Sequence, residues 1–207
     1  MGATVDELRH LGLAVRSRGR SIYALLRGQP RLGWLAAERK AVALGGHLVT
    51  INSAAENRWL TRQFRSLPGV DDCGLWIGLN DRRQEGRFRW TSGQRSDYSN
   101  WVPKGTPGYP AAEPSNGPGE DHVHLYFNTD AMGRWKDSVI GYHDVALSGA
   151  IAEFRRRGPS RMAMVSTDSV ARGPEPWAAD PAVHWTQPQT GASPFSLNTP
   201  SNSTELR

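Results

Sequence analysis

The chain has 207 residues, enough for one sizeable core or for one domain with flanking segments. Its 38% apolar content and mean hydropathy of −0.56 describe a soluble chain with some non-core sequence, and no apolar run approaches the length that spans a bilayer. A net charge of +5 and a pI near 9.8 raise nucleic acid as a partner, but the basic residues are dispersed. The clusters Arg16, Arg18, Arg20 and Arg155, Arg156, Arg157 come without zinc-finger spacing or an RNA-binding signature, so they read as solvated charge flanking a domain.

The start, "MGATVDELRHLGLAVRSRGR", has no continuous apolar core of the kind a secretory signal carries. Residues 1–20 are expected to be an N-terminal extension. "SIYALL" has the β-branched and apolar content of a short strand. "GWLAAERKAVALGG" reads as a helix, with Trp34, Ala37, Ala41 and Leu44 at helical spacing and Gly45–Gly46 as the stop. "HLVTI" is a strand. "NSAAENRWLTRQF" is a second helix, with Ser53 as N-cap, Glu56 completing a capping box, and Leu60 and Phe64 on one face.

From Leu75 the character changes. "LWIGL", "RFRW", "HVHLY" and "GRW" are short strands separated by Gly, Asn, Asp and Pro. Residues 92–120 are rich in Gly, Pro, Ser and Asn, and a loop that long inside a domain is usually functional or disordered. "GAIAEF" is a last strand, and residues 157–207 are polar enough to be expected as a disordered tail. The order predicts an α+β domain over residues 21–156.

The single cysteine, Cys73, cannot form an internal disulfide or make a zinc site alone. Its context "GVDDCGLW" is acidic, which raises a thiol pKa and argues against a catalytic thiolate. Within "EPSNGPGED" three carboxylates crowd into nine residues. They must be neutralised, either by water and salt or by a hard cation such as calcium.

In this order the motifs resemble the C-type lectin-like domain: the two-helix half "GWLAAERKAVALGGHLVTINSAAENRWL", the core strand "LWIGLND", the hairpin "EGRFRWTSGQRSDYSNW", the loop motifs "EPSN", "GED" and "GRWKD", and the closing strand "GAIAEF". The resemblance implies an α+β fold of two helices packed on short antiparallel sheets with a long calcium-type loop. Family members usually carry two disulfides, and the matching pairs here are Ala41 with Ala152 and His122 with Ile140. The pattern is similar to cysteine-free bacterial members. Loss of each bridge costs about 2–5 kcal/mol, which packing must offset. Trp76, Trp90, Trp101 and Trp135 are expected as core and loop anchors, and His122 as a packed core histidine.

The resemblance also implies two calcium ligand sets. The first matches Asp81, Glu85, Asn116, Glu120 and Asp121, all with side-chain oxygens, so one calcium is expected there. The second, sugar-binding set matches Glu113, Ser115, Glu120, Lys136 and Asp137, with Glu113–Pro114 expected to be cis. Sugar binders of the family usually have amides where Ser115 and Lys136 stand. Those amides give an oxygen to calcium and donate NH₂ to a sugar hydroxyl. Lys136 offers no oxygen, so the second site is expected to be weak or empty and the sugar site reads as degraded.

The resulting expectation is a non-catalytic module for calcium-dependent carbohydrate binding. The alternative is a protein-binding or structural domain without sugar binding. No nucleophile elbow or phosphate loop is present, and His122 and His124 alternate on a strand without catalytic partners, so no enzyme is expected. The family implies an extracellular setting.

Overall fold

The computed structural model describes residues 3–28, 31–139 and 147–156. Three helices, α1 (Val5–His10), α2 (Trp34–Ala43) and α3 (Ala54–Phe64), accompany eight strands. The strands are β1 (Val15–Arg18), β2 (Ser21–Leu26), β3 (His47–Leu48), β4 (Leu75–Asn80), β5 (Arg89–Trp90), β6 (His122–Leu125), β7 (Trp135–Ser138) and β8 (Ala150–Arg155). The sheet runs β1-β2-β8-β4-β6-β7, with β3 paired to β8 and β5 to β4. The β4–β8 pairing is parallel; β2 and β8 pair antiparallel from Ser21↔Arg155 to Leu26↔Ala150, joining the two ends of the domain.

Strand alternation explains why β2 and β4 are almost continuously buried. Side chains of successive residues point to opposite faces. Tyr23, Leu25, Leu75, Ile77, Leu79 and Ile151 share one core with Leu60 and Phe64 of α3. Ile22, Ala24, Leu26, Trp76, Ala150 and Ala152 share the other with Trp34, Ala37 and Ala41 of α2 and Leu8 of α1. Helices therefore cover both faces. The glycine of "LWIGL" has a packing cause: a Cβ on Gly78 would lie 2.6 Å from the Leu48 carbonyl oxygen and 2.9 Å from Thr91 Oγ1.

The structure departs from expectation at the start of the chain. Residues 3–20 pack on the domain instead of extending from it. Leu8 is fully buried, and β1 pairs with β2 through a two-residue turn at Gly19–Arg20 in which Gly19 takes a φ of 56°. A reciprocal capping box stands at Thr4 and Glu7 of α1. In α3 the expected box is only half formed. Ser53 Oγ accepts from the Glu56 amide, but the Glu56 carboxylate accepts from the Asn52 amide and from Tyr23 Oη, not from its N-cap. "HLVTI" forms strand only at His47–Leu48, and "RFRW" only at Arg89–Trp90. The tail expected at 157–207, and Ile140 of the second matched pair, lie outside the described residues. Among the described residues no helix is long and apolar enough to cross a membrane.

Ala41 and Ala152, the first matched pair, are fully buried in one core. His122 is buried against Trp34 and Trp76, with ring centroids 4.6 and 6.4 Å apart. Trp76, Trp90 and Trp135 are buried and Trp101 half-buried, as expected of anchors.

Candidate functional site

The long loop is anchored to β7. The Trp135 amide donates to the Asn100 carbonyl (2.9 Å), the Val102 amide to the Trp135 carbonyl (3.1 Å), and the Glu113 amide to the Val102 carbonyl (2.9 Å). The Glu113–Pro114 peptide is cis, as the loop motif implied. Asn116 follows with a φ of 49°, a left-handed conformation that asparagine tolerates better than most residues.

This path brings all five residues of the second set into one network. Glu113 Oε2 accepts from the Ser115 amide (2.9 Å). Asp137 accepts from the Ser115 and Asn116 amides (3.1 and 3.0 Å). Glu120 Oε2 accepts from Ser115 Oγ (2.7 Å) and from the Gly117 amide (2.9 Å). Lys136 Nζ donates to Glu113 Oε1 at 2.9 Å, an ion pair whose side chains are 23% and 6% exposed.

The electrostatics follow from burial. Asp137, in the interior beside Glu113, is pushed up to about 7 by burial first and then by its hydrogen bond to Glu113. Burial would raise Glu113 too, but the hydrogen bonds from Asp137 and Lys136 outweigh it and hold Glu113 below its usual range. Burial opposes the charge on Lys136, yet the hydrogen bond and charge of Glu113 keep its pKa above the usual lysine value. The ammonium is therefore the counter-ion of the Glu113 carboxylate, beside the buried Asp137 carboxyl.

The first set gathers differently. Asp81 is buried; its Oδ2 accepts from the Gly86 amide (2.8 Å), while its Oδ1 is buried without a donor. Gly86, at a φ of +72°, closes the turn from Asp81, and a Cβ there would lie 3.9 Å from Asn116 Nδ2. The Asp81 amide donates to the Asp121 carbonyl (3.2 Å). Desolvation and then the charges of Asp81 and Asp121 raise the carboxyl pKa of exposed Glu85. Among the described residues, no three His, Cys, Asp or Glu side chains already stand at metal-holding spacing. By chemistry the first set fits a hard cation: its donors are all oxygens, and Asp81 Oδ1 is a buried acceptor of the kind a cation satisfies. The second set does not fit one as it stands, because Lys136 holds Glu113 and Ser115 Oγ is committed to Glu120.

Around Glu113, Ser115 and Lys136 lies a cavity of about 610 Å³ whose wall also contains Tyr109, Tyr126, Asn128 and Asp130. These four were not foreseen. Tyr109 and Tyr126 meet edge to face at 5.6 Å, and Asn128 Nδ2 reaches Tyr109 Oη at 3.5 Å. Tyr126 ends "HVHLY" and Tyr109 sits in "PGYP". Neither position has a periodic pattern that would have placed it beside Lys136.

His122 packs against Trp34 and Trp76 with both ring nitrogens buried and, among the described residues, without a hydrogen-bond partner. His124 donates from Nδ1 to the Cys73 carbonyl (3.0 Å) and accepts at Nε2 from Ser138 Oγ (3.1 Å), so it is neutral. Burial pushes it down to about 4. A base depressed in the fold adds stability that is present above the unfolded value near 6.5 and lost as pH falls toward 4. An NMR titration should show His124 un-ionised above about pH 5; a midpoint near 6.5 would contradict the buried neutral ring. Cys73 is exposed in the turn before β4, and burial together with Asp71 raises its pKa.

The profile of the Lectin C-type domain family matches residues 31–141, more than half of the chain. The chain belongs to the C-type lectin domain family. An alpha-N-acetylgalactosamine-specific lectin from Patiria pectinifera is 37% identical over 92 residues, covering 44% of this chain and 50% of that protein. The versican core protein of Rattus norvegicus is 35% identical over 113 residues, covering 55% of this chain and 4% of that protein. This C-type lectin chain thus spans about half the length of the first relative and a small part of the second. Among solved structures, the cow C-type carbohydrate-recognition domain of CD23 aligns over 70% of this chain and 95% of its own, at 29% identity and a TM-score of 0.55. The C-type lectin CEL-I from Cucumaria echinata aligns over 67% of this chain and 93% of its own, at 22% identity and a TM-score of 0.55, which bears on the fold alone.

Proposed function

We propose that the chain is a non-catalytic carbohydrate-binding module whose sugar pocket is the cavity beside the cis loop. The observation that carries this reading is the placement of Glu113, Ser115 and Lys136 in one cavity wall with Tyr109 and Tyr126. Aromatic rings suit the apolar face of a sugar ring, and the ammonium, carboxylate and amide groups suit its hydroxyls. Support comes from the Patiria relative, named for its alpha-N-acetylgalactosamine specificity, and from the cow CD23 domain, solved in the presence of a GlcNAc2Man3 oligosaccharide.

Asp81, Glu85, Asn116, Glu120 and Asp121 would hold one calcium. The ion would supply positive charge that neutralises this acidic set and ties the turn at Gly86 to the loop at Asn116. Calcium dependence then arises through loop order, and Glu120 belongs to both sets. At the second set Lys136 takes the cation's role as counter-ion. The further placement among cysteine-free bacterial-type members belongs to the same proposal and rests on Ala41, Ala152, His122 and Ile140 at the matched cysteine positions.

One observation favours a second reading. The Lys136–Glu113 pair closes the second set to calcium, which suits a protein-binding or structural domain without sugar binding. Retention of the full chain on immobilised N-acetylgalactosamine or mannose, with calcium and with chelator, separates the two. Retention that calcium strengthens supports the sugar reading. No retention on any immobilised sugar supports the second.

A further inference from the structure

A second, larger cleft of about 1360 Å³ lies apart from the sugar pocket. None of Glu113, Ser115 and Lys136 lines it. Its wall gathers Arg39 from α2, Arg82, Arg83 and Arg87 from the turn after β4, Arg89 from β5, and Arg95 from the following loop. Residues 82–95 hold five arginines and a single acid, Glu85. The basic residues that look dispersed along the chain are thus concentrated by the β4–β5 connection.

All six guanidinium groups belong to exposed residues, and among the described residues none of them makes a hydrogen bond or ion pair. The acids nearby do not neutralise them. Glu38 is committed to His47 Nδ1 (2.7 Å) and to the Leu48 amide (2.8 Å), and Asp81 to the Gly86 amide. Asp97 is one further acid on the wall. Six like charges along one cleft repel one another, and a cleft focuses their field outward. An arginine fork matches the oxygens of a sulfate or carboxylate in a bidentate manner.

We propose that this cleft binds a sulfated polysaccharide. The arginines would pair with its sulfate groups, while the Gln94 amide on the same wall would meet sugar hydroxyls; Asn80 Nδ2 and Ser96 Oγ already donate to the Arg89 and Ile51 carbonyls. Single-stranded nucleic acid fits less well, because it needs open aromatic faces for its bases. Here Trp90 and Trp135 are buried, and Phe88 and Trp101 are packed on each other at 4.9 Å. The inference does not depend on the sugar pocket, although Asp81 borders both the cleft and the first calcium set.

The test uses the full chain on immobilised dextran sulfate, with unsulfated dextran and a single-stranded DNA oligonucleotide as comparisons, in calcium and in chelator. Dextran sulfate should be bound in both buffers, with affinity falling steeply as salt rises, and unsulfated dextran should not be bound in chelator. The triple variant Arg87→Gln, Arg89→Gln, Arg95→Gln should lose about tenfold or more in affinity. The triple variant Arg58→Gln, Arg62→Gln, Arg65→Gln removes equal charge outside the cleft, and should lose about twofold or less. Circular dichroism would establish that both variants fold. Equal losses in the two variants would reduce the effect to net charge and overturn the proposal. So would absence of binding to dextran sulfate, or tighter binding to the DNA than to dextran sulfate at the same salt.

Discussion

Lys136→Asn should make the domain less stable without calcium and open a second calcium-binding event. In the parent, the Lys136 ammonium lies 2.9 Å from Glu113 Oε1 and offsets a carboxyl pair formed with buried Asp137. Breaking a buried ion pair by removing one partner costs about 3–5 kcal/mol. Because the Lys136 side chain is 23% exposed, the loss in chelator should fall at or below about 3 kcal/mol. Asparagine restores an oxygen and removes a charge that would repel a dication at about 4 Å by about 8 kcal/mol, for an effective dielectric near 20. Calorimetry should therefore find one calcium event in the parent and two in Lys136→Asn, and millimolar calcium should raise the melting temperature of the variant more than that of the parent. Glu120→Gln should weaken every event, since Glu120 belongs to both sets. Two similar events in the parent, with no change in Lys136→Asn, would show that Lys136 does not occupy the second set.

Trp135→Ala should be the most destabilising single substitution in the loop anchor. The ring is fully buried and meets Trp90, Tyr98 and Trp101 edge to face at 5.6, 5.5 and 5.8 Å. Its Nε1 donates to Asn57 Oδ1 at 2.8 Å, and Asn57 in turn donates to the Gly133 carbonyl at 2.7 Å. Truncating such a side chain costs about 3–5 kcal/mol. Leaving Asn57 Oδ1 without a donor adds about 1–3 kcal/mol. The sum is comparable to the whole stability of an ordinary domain, about 5–15 kcal/mol. Urea denaturation should show little or no folded Trp135→Ala, whereas Trp135→Phe, which keeps most of the packing, should lose about 1–3 kcal/mol. A loss of less than about 1 kcal/mol in Trp135→Ala would mean that the loop does not depend on this anchor.

Much of the fold could be read from patterns with a local cause. The helical spacing of Trp34, Ala37 and Ala41, and the uninterrupted apolar run of "LWIGL", each follow from the face a side chain must bury. The ordered loop motifs supplied the rest, including the cis peptide. Misses arose where the cause was distant. β1 exists because its backbone pairs with β2, and of "VRSR" only Val15 is buried. The Gly-Arg step at its end was the available signal. The partial capping box at α3 reflects competition, since Tyr23 Oη claims one oxygen of Glu56 from another strand.

The candidate site was legible as a residue set but not as an arrangement. Ser115 and Lys136 were recognisable as departures from the family's amides. That Lys136 would fold onto Glu113 instead of swinging into water depends on β7 register, with Lys136 opposite His124 and Asp137 opposite Val123. Tyr109 and Tyr126 are separated by sixteen intervening residues of largely aperiodic chain, so only the folded loop brings them together. The arginine cleft was hidden for a related reason: the turn after β4 gathers charges that a linear reading spreads across several segments.

The most direct measurement of the central claim is a glycan array probed with the full chain and with Tyr109→Ala, each in calcium and in chelator. The account predicts a defined set of neutral glycans bound by the parent in calcium, weakened in chelator, and lost by about tenfold or more in Tyr109→Ala, since a stacked aromatic contributes over about 1 kcal/mol. No neutral glycan bound by the parent in either buffer, or the same glycans bound equally by Tyr109→Ala, would contradict it.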